Sequence, residues 1–98
     1  MLHIINKSPL DRPTLDSLLR MGQSGAVLLI EDAVLAATQG HAAAEKLRAL
    51  MTKMQVFALA PDLEARGVSD RLIDGVTGVD YGGFVDLVAE HPNCQSWL

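Results

Sequence analysis

The sequence predicts an α/β fold, a single layered domain in which a mostly parallel sheet of about five short strands is flanked by helices. Three observations predict it. Apolar segments of strand length alternate with segments of helical periodicity. Residues 26–30 are apolar at every position, which is typical of a strand covered on both faces of a parallel sheet. The length of 98 residues suits one domain, and we expect that domain to span residues 1–98.

The predicted strands share a high content of apolar and β-branched residues and are bounded by Gly, Pro or Asp. They cover residues 2–6, 26–30, 55–59, 76–79 and 94–98. The fourth has only four residues, one of them a glycine, and is the weakest of the set. In the last strand, alternation places Gln95 and Trp97 on the face opposite Cys94, Ser96 and Leu98.

The first helix is expected to follow the first strand, with Asp11 or Thr14 near its N-terminal cap. Its apolar face is formed by side chains three and four positions apart, namely Leu15, Leu18 and Leu19. A turn over residues 22–25 then leads into the second strand. This order is the strand–helix–strand unit from which parallel sheets are built.

The remaining helical segments are recognised by apolar spacing and by residues that suit helix ends. They run over residues 32–40, 42–51, 62–66, 69–73 and 80–91. Asp32, Ser69 and Asp80 are expected to cap the segments that they begin, because Ser and Asp side chains accept hydrogen bonds from free N–H groups. In the last helix we expect the inward side chains to be Phe84, Leu87 and Val88.

Composition favours a protein that acts by association. Hydrophobic residues make up 49% of the chain and the mean hydropathy is +0.21, whereas a domain of this size buries only about 60–70% of its surface. Apolar surface should therefore remain for a subunit interface. The net charge of −4 argues against direct contact with nucleic acid, which needs a basic patch.

The cellular context is expected to be the cytoplasm. The single cysteine, Cys94, excludes an intrachain disulfide and a CxxC motif. The first residues lack the basic and apolar regions of a signal peptide. The longest apolar run, residues 26–30, is much shorter than the roughly 20 residues needed to span a bilayer, so no membrane association is expected.

Cys94 is the one residue that could carry sulfur as a thiolate. A reactive thiol needs a positive environment or a helix N-terminus, whereas Cys94 follows the end of a helix, where the dipole is negative. We therefore interpret it as a partly buried structural thiol rather than a persulfide carrier. The histidines His3, His41 and His91 have no metal-ligand spacing, and no metal or cofactor is predicted.

Two segments leave a ligand role open. Glu31 and Asp32 follow a buried strand at the sheet edge where α/β proteins bind ligands, although Asp32 also suits a helix cap. Residues 80–84, with two glycines, could receive an anion at a helix start or could form a simple turn. Residues 22–25 lack the lysine of a phosphate loop. No catalytic residue is assigned.

Five segments resemble the TusB/DsrH family. They are the MLHIINKSP start, AVLLIEDAV at residues 26–34, VFALAPDLEARG at residues 56–67, DYGGFV at residues 80–85, and HP followed by QSW at residues 91–97. The segments cover the chain from end to end, in order and at matching spacing. In the second, Ala33 stands where the family usually has glycine.

The resemblance implies a DsrE/DsrF-like fold and a place in a sulfur-relay complex. TusB-like chains combine with TusC-like and TusD-like chains as a heterohexamer. That complex accepts persulfide sulfur from a TusA-like carrier and passes it to a TusE-like carrier, for 2-thiolation of the wobble uridine of tRNA. The TusB-like chain is not the subunit that presents the principal sulfur-carrying cysteine, so this chain is expected to be an accessory subunit and not itself an enzyme.

Three alternatives stay open at this point. The DsrH branch, from sulfur oxidation, carries a cysteine in its first helix, where this chain has Leu18, and this difference favours the thiolation branch. The second alternative is a sulfurtransferase that uses Cys94. The third is a homo-oligomer that binds a small molecule at the strand ends near Asp32 and Asp80.

Overall fold

The computed structural model describes residues 1–8, 13–21 and 25–97. Within them the chain forms one sheet of five parallel strands in the order β4-β3-β2-β1-β5. The strands are β1 (Leu2–Ile5), β2 (Gly25–Leu29), β3 (Met54–Leu59), β4 (Thr77–Val79) and β5 (Cys94–Trp97). The predicted fold class is confirmed, with every strand pairing parallel.

Helices connect successive strands. They are α1 (Thr14–Met21), α2 (Ala44–Leu50), α3 (Ala60–Ala65) and α4 (Tyr81–Glu90). Two 3₁₀ helices, Glu31–Ala37 and Ser69–Arg71, precede α2 and follow α3. No helix of the described ranges has the length and apolar character needed to cross a bilayer.

The strand order explains why the two faces of the sheet are covered unequally. β1 to β4 progress in one direction across the sheet, and right-handed connections then place all their helices on the same face. The chain next returns from β4 to β5 beside β1, and this reversal places α4 on the opposite face. We call the first the three-helix face, since α1, α2 and α3 cover it, and the second the single-helix face, since α4 covers it.

Alternation along each strand divides the apolar core between these faces. In β2, Val27 and Leu29 join the large core of the three-helix face, while Ala26 and Leu28 join the small core of the single-helix face. Side chains on the single-helix face are less completely buried. Those that are half-buried there are Ile4, Ile30, Phe57, Val79 and Phe84.

The predicted caps have mixed outcomes. Asp80 caps α4 as expected, accepting a hydrogen bond of 2.8 Å from the Gly83 N–H. Asp32 and Ser69 lie inside the first turns of the 3₁₀ helices, and neither caps its helix through its side chain. Those two predictions are wrong, because the cap positions are Ile30, two residues before Asp32, and Val68, one residue before Ser69. Asp11, residues 22–24 and Leu98 lie outside the described residues.

The inward face of α4 is narrower than predicted. Leu87 is buried and Phe84 is half-buried, but Val88 is 41% exposed. The prediction for Val88 was wrong, because a neighbouring position on an α-helix is turned by about 100° and only one of the pair points at the sheet. The outward position of Val88 leaves an aliphatic side chain in solvent.

Candidate functional site

The carboxyl ends of β2 and β3 bring together the cluster Glu31, Asp32, Asp62 and Arg66, which we call the carboxyl-edge cluster. The Glu31 N–H donates a 2.7 Å hydrogen bond to Asp62 Oδ2. Arg66 donates from Nη2 and Nε to Asp32 Oδ1 at 2.8 and 3.1 Å. The cluster thus joins the start of the first 3₁₀ helix to α3.

The backbone at Glu31 is unusual. Its φ of 52° lies in the left-handed region, which costs a non-glycine residue of the order of 1 kcal/mol or more. This conformation directs its N–H to the Asp62 carboxylate, so Asp62 serves as the cap that was expected of Asp32. The carboxylates of Asp62, bonded to the Glu31 N–H, and of Asp32, bonded to Arg66, therefore hold the strand ends, which is a structural role.

Sequence reasoning left a ligand role open for Glu31 and Asp32 and expected Asp32 to cap a helix, but it missed the partners of both residues. Asp62 and Arg66 belong to the segment 56–67 that resembles the family, and this was the signal that could have drawn attention to them. Their pairing with residues more than 30 positions earlier depends on β2 and β3 being neighbours in the sheet. Only the tertiary structure shows that adjacency.

Asp62→Ala is expected to lower the free energy of unfolding by about 1–2 kcal/mol, because it leaves the strained Glu31 N–H without its acceptor. Urea unfolding followed by circular dichroism measures the change. Asp74→Ala, at an exposed acidic residue, is the matched control and should change stability by less than about 0.5 kcal/mol. Equal stability of the two variants would contradict the capping role.

The glycine segment at residues 80–84 is a helix start closed by its own side chain. The Gly83 N–H is bonded to Asp80 Oδ1, so a negative carboxylate already occupies the place where an anion would be received. A Cβ on Gly83 would lie 2.9 Å from the Val79 Cβ. The glycine is thus required for close packing against the preceding strand.

Cys94 begins the edge strand β5 and is exposed. The prediction of a partly buried thiol was wrong, because an edge strand leaves one side open to solvent and nothing in the described chain covers its first residue. The Sγ atom lies 3.8 Å from the His91 carbonyl oxygen, its hydrogen-bond acceptor. Such an oxygen carries partial negative charge and gives no support to a thiolate.

Cys94 and the carboxyl-edge cluster are at opposite ends of the sheet. Cys94 pairs in register with Leu2, the first residue of β1, whereas Glu31 and Asp32 follow the end of β2. In a parallel sheet all amino ends share one edge and all carboxyl ends the other. The structure therefore does not combine the thiol and the acidic residues into one site.

His3 is fully buried on β1. Its Nδ1 accepts a 3.1 Å hydrogen bond from Trp97 Nε1, and its Nε2 has no hydrogen-bond partner among the described residues. Because an indole N–H is only a donor, the neutral ring carries its proton on Nε2. Burial lowers the pKa of His3, with a further contribution from the positive N-terminal amino group.

The other two histidines have local partners. His41 Nδ1 accepts from the Ala43 N–H at 3.0 Å, and His91 Nδ1 lies 2.9 Å from the Leu87 carbonyl oxygen, to which it can donate. Within the described ranges, no three or more His, Cys, Asp or Glu side chains converge as a metal site would require. The histidines thus serve strand packing, a turn and a helix end.

A cavity of about 440 Å³ lies beside the amino-terminal half of β3. β4 pairs with β3 only from Phe57 onward, so the earlier part of β3 has an open side. The side chains around the cavity are apolar or uncharged, and they belong to Met51, Met54, Gln55, Val56, Phe57 and Thr77. It contains no group suited to acid–base or nucleophilic chemistry.

Apart from Met1, the exposed large apolar side chains of the described residues all belong to α4. Tyr81 is 64% exposed, Val85 65% and Val88 41%. Their spacing of four and three residues puts them in one stripe along the helix, which we call the α4 stripe. A monomer gains nothing from such a stripe, whereas a protein contact would bury it.

The fold and these features define a small α/β domain with contact surfaces and no assembled catalytic centre among the described residues. Residues 7–94 match a family model described as "DsrH like protein". The chain is 38% identical to protein TusB of Pectobacterium parmentieri, over 99% of this chain and 100% of that protein. It is 34% identical to protein TusB of Escherichia coli, strain K12, with the same coverage.

The chain therefore belongs to the TusB/DsrH family. A solved structure of a protein of unknown function from Methanobacterium thermoautotrophicum has a TM-score of 0.78, covering 98% of this chain and 96% of that one. Its sequence identity is 19%, so this likeness concerns the fold. The family resemblance carried by the five sequence segments is thus confirmed.

Proposed function

We propose that this chain is a non-catalytic, cytoplasmic subunit of a TusBCD-type sulfurtransferase complex, which relays persulfide sulfur for 2-thiolation of the tRNA wobble uridine. The observation that carries the proposal is full-length similarity to proteins named TusB at 34–38% identity. In this role the chain contributes shape and contact surface, while partner chains carry the sulfur and no nucleic acid touches this subunit directly.

Two structural observations support a role without catalysis. Leu18 stands where the DsrH branch of the family, from sulfur oxidation, carries a cysteine in its first helix. Its side chain is fully buried in the core of the three-helix face. Cys94, the one thiol present, has a carbonyl oxygen as its hydrogen-bond partner. Sulfane sulfur transfer needs a thiolate that a partner can reach, and neither position combines the two requirements.

Assembly is the first test. Co-expression of this chain with the TusC-like and TusD-like chains of the same organism should yield one complex with two copies of each chain, as measured by native mass spectrometry.

The related alternative is a DsrH-type subunit of a sulfur-oxidation complex, which is consistent with the description of the matching family model. If deletion of the gene abolishes thiolation of tRNA and complementation restores it, the role in tRNA thiolation is supported. If deletion leaves tRNA thiolation unaltered, that role is contradicted.

Replacing Cys94 with serine is expected to leave sulfur relay unchanged. The assay follows ³⁵S from a TusA-like donor to a TusE-like acceptor through the purified complex, and the matched control removes the sulfur-carrying cysteine of the TusD-like chain, which should abolish transfer. Because Cys94 is exposed, the substitution should alter stability by less than about 0.5 kcal/mol. Loss of transfer in a folded Cys94→Ser complex would identify Cys94 as a carrier and refute the non-catalytic role.

A further inference from the structure

The cavity beside the amino-terminal half of β3, which we call the β3-edge cavity, results from a difference in strand length. β3 begins at Met54, but β4 pairs with it only from Phe57 onward. The first three residues of β3 therefore have a neighbouring strand on the β2 side alone. A strand edge of this kind presents backbone N–H and C=O groups to whatever lies beside it.

The pairing of β2 determines which backbone groups of β3 face the cavity. In a parallel pair, alternate residues of a strand direct their N–H and C=O groups to the same neighbouring strand. The Ala26 N–H donates to the Met1 carbonyl oxygen at 3.1 Å. Even-numbered residues of β2 thus bond to β1, and odd-numbered residues of β2 bond to β3.

Met54 and Val56 consequently face the cavity. Val27, an odd-numbered residue of β2, is the register partner of Val56, and it bonds to the residues on either side of that partner. Those residues, Gln55 and Phe57, direct their backbone groups to β2. The backbone groups of Met54 and Val56 therefore point to the opposite side, where β4 is missing.

Three of these backbone groups lack a partner. Thr77, the register partner of Phe57, is placed to bond the Val56 carbonyl oxygen. The Val56 N–H and both backbone groups of Met54 have no hydrogen-bond partner among the described residues. Met54 and Val56 are only 4% and 2% exposed. Because buried backbone groups are ordinarily paired, an occupant of the cavity has to supply the partners.

The lining of the cavity fits an extended chain. Met51 and Val56 line it from the three-helix face, whereas Phe57 and Thr77 line it from the single-helix face. Side chains of a strand alternate between the two faces of a sheet, so an extended segment beside β3 contacts both halves of this lining. The free place along β3 is three residues long, or about 10 Å.

The absence of charge narrows the kind of segment. None of the side chains that line the cavity is an acid or a base. A chain terminus placed there would bring an unpaired charge out of water, which is unfavourable. An internal segment with uncharged side chains avoids that cost and offers backbone donors and acceptors at the spacing of β3.

We propose that the β3-edge cavity binds an internal, uncharged segment of another polypeptide chain, which adds to β3 as an extended strand in line with β4. Main-chain hydrogen bonds to Met54 and Val56 hold the segment, and the two faces of the lining receive its alternate side chains. The inference does not depend on the proposed function, because the open edge belongs to this chain alone.

Amide hydrogen exchange of the isolated ¹⁵N-labelled chain tests the proposal. The Val56 N–H should exchange faster than the Phe57 N–H, which is bonded to β2. The peptide acetyl-Ser-Val-Thr-Val-Ser-amide, added at millimolar concentration, should shift the amide resonances of Met54 and Val56 and slow their exchange. The same peptide methylated on the backbone nitrogens of its three central residues cannot donate from them and should cause neither change.

Thr77→Tyr is the substitution that closes the site. Thr77 is exposed and lines the cavity, and tyrosine is favoured in strands, so the larger side chain fills the cavity from the single-helix face. This variant should lose the resonance shifts caused by the peptide. The matched control, Ser96→Tyr at an exposed position of the other edge strand, β5, should keep them.

Four results would overturn the proposal. A Val56 N–H as protected as that of Phe57 without peptide means that the edge is already closed. A wild-type spectrum that does not respond to the peptide assigns the cavity to ordered water alone. Equal effects of the methylated and unmethylated peptides exclude strand addition, and a folded Thr77→Tyr variant that still responds places the binding elsewhere. If Thr77→Tyr does not fold, the two peptides on the wild-type chain still decide.

Discussion

Leu18→Ala is expected to lower the free energy of unfolding by about 2–5 kcal/mol, the range for deleting a buried leucine side chain from a packed core. Leu18 has no exposed surface and lies in the core of the three-helix face. In a domain of about this size each kcal/mol shifts the melting temperature by about 4–8 °C. Urea and thermal unfolding of the isolated chain measure the loss.

Two variants show whether volume at this position causes the effect. Leu18→Met preserves most of the side-chain volume and should cost less than about 1.5 kcal/mol. Val88→Ala, on the exposed side of α4, should change the stability of the isolated chain by less than about 0.5 kcal/mol. A Leu18→Ala variant as stable as Val88→Ala would mean that α1 does not pack as described.

The same position bears on the branch of the family. A thiol introduced by Leu18→Cys in a Cys94→Ser background should be protected from alkylating reagents in the folded chain, because the site is closed to solvent. Cys94 in the wild type should react without denaturant. Because residue 18 is buried, a cysteine at this position could not transfer sulfur to a partner unless α1 moved. The first helix of this chain is therefore suited to packing.

The second large effect concerns His3 and pH. The pKa of His3 is lowered in the folded state by burial and by the N-terminal amino group, so the unfolded chain binds a proton more readily than the folded one. The stability contributed by the neutral ring is complete above the unfolded pKa of about 6.5. It is lost as pH falls below that value, and the loss ends once the folded state also takes up the proton.

Protonation would also remove the acceptor on Nδ1 that binds Trp97 Nε1, since both ring nitrogens of an imidazolium are donors. The contribution of His3 to the slope of unfolding free energy against pH is at most about 1.4 kcal/mol per pH unit, the value for one proton. Urea unfolding at closely spaced values between pH 5 and pH 8 measures the slope.

His3→Phe is the matched variant, because it retains an aromatic ring but cannot titrate. The wild-type curve should fall more steeply than the His3→Phe curve below pH 6.5, and the two should run parallel above it. Parallel curves throughout would contradict a buried neutral His3. Carboxylates and the other histidines contribute equally to both proteins, so the difference between the curves isolates this ring.

The predicted helix caps show where local pattern succeeds and where it fails. Asp80 was assigned correctly, because its side chain accepts a hydrogen bond from the Gly83 N–H, only three residues later. A contact at that separation can be predicted from a short stretch of sequence. Asp32 was assigned wrongly, because the N–H at the start of that 3₁₀ helix is satisfied by Asp62, 31 residues later. The spacing of residues within a short segment gives no sign that a distant side chain will bind the same N–H group.

Cys94 and Val88 show the same limit for exposure. Alternation placed Cys94 correctly in a strand, but the order of strands decides whether that strand is central or at an edge. β5 turned out to be an edge, and the thiol is exposed as a result. Leu87 and Val88 were both predicted to point inward, and only the rotation of α4 on the sheet decided that Leu87 is buried and Val88 is not.

The sequence by itself determined the class of fold, the alternation of elements and the membership of the family, because periodicity and ordered motifs are properties of the chain read in one dimension. The tertiary structure decided which face of the sheet is thinly covered, which carboxylate holds the strand ends, and which apolar side chains are left outside. These depend on the order of the strands in the sheet: the adjacency of β2 and β3 brings Asp62 to Glu31, and the reversal after β4 leaves one face with a single helix. Contacts between such residues stabilise the protein only because the fold places them next to each other. The spacing of residues along the sequence does not show which distant residues will become neighbours.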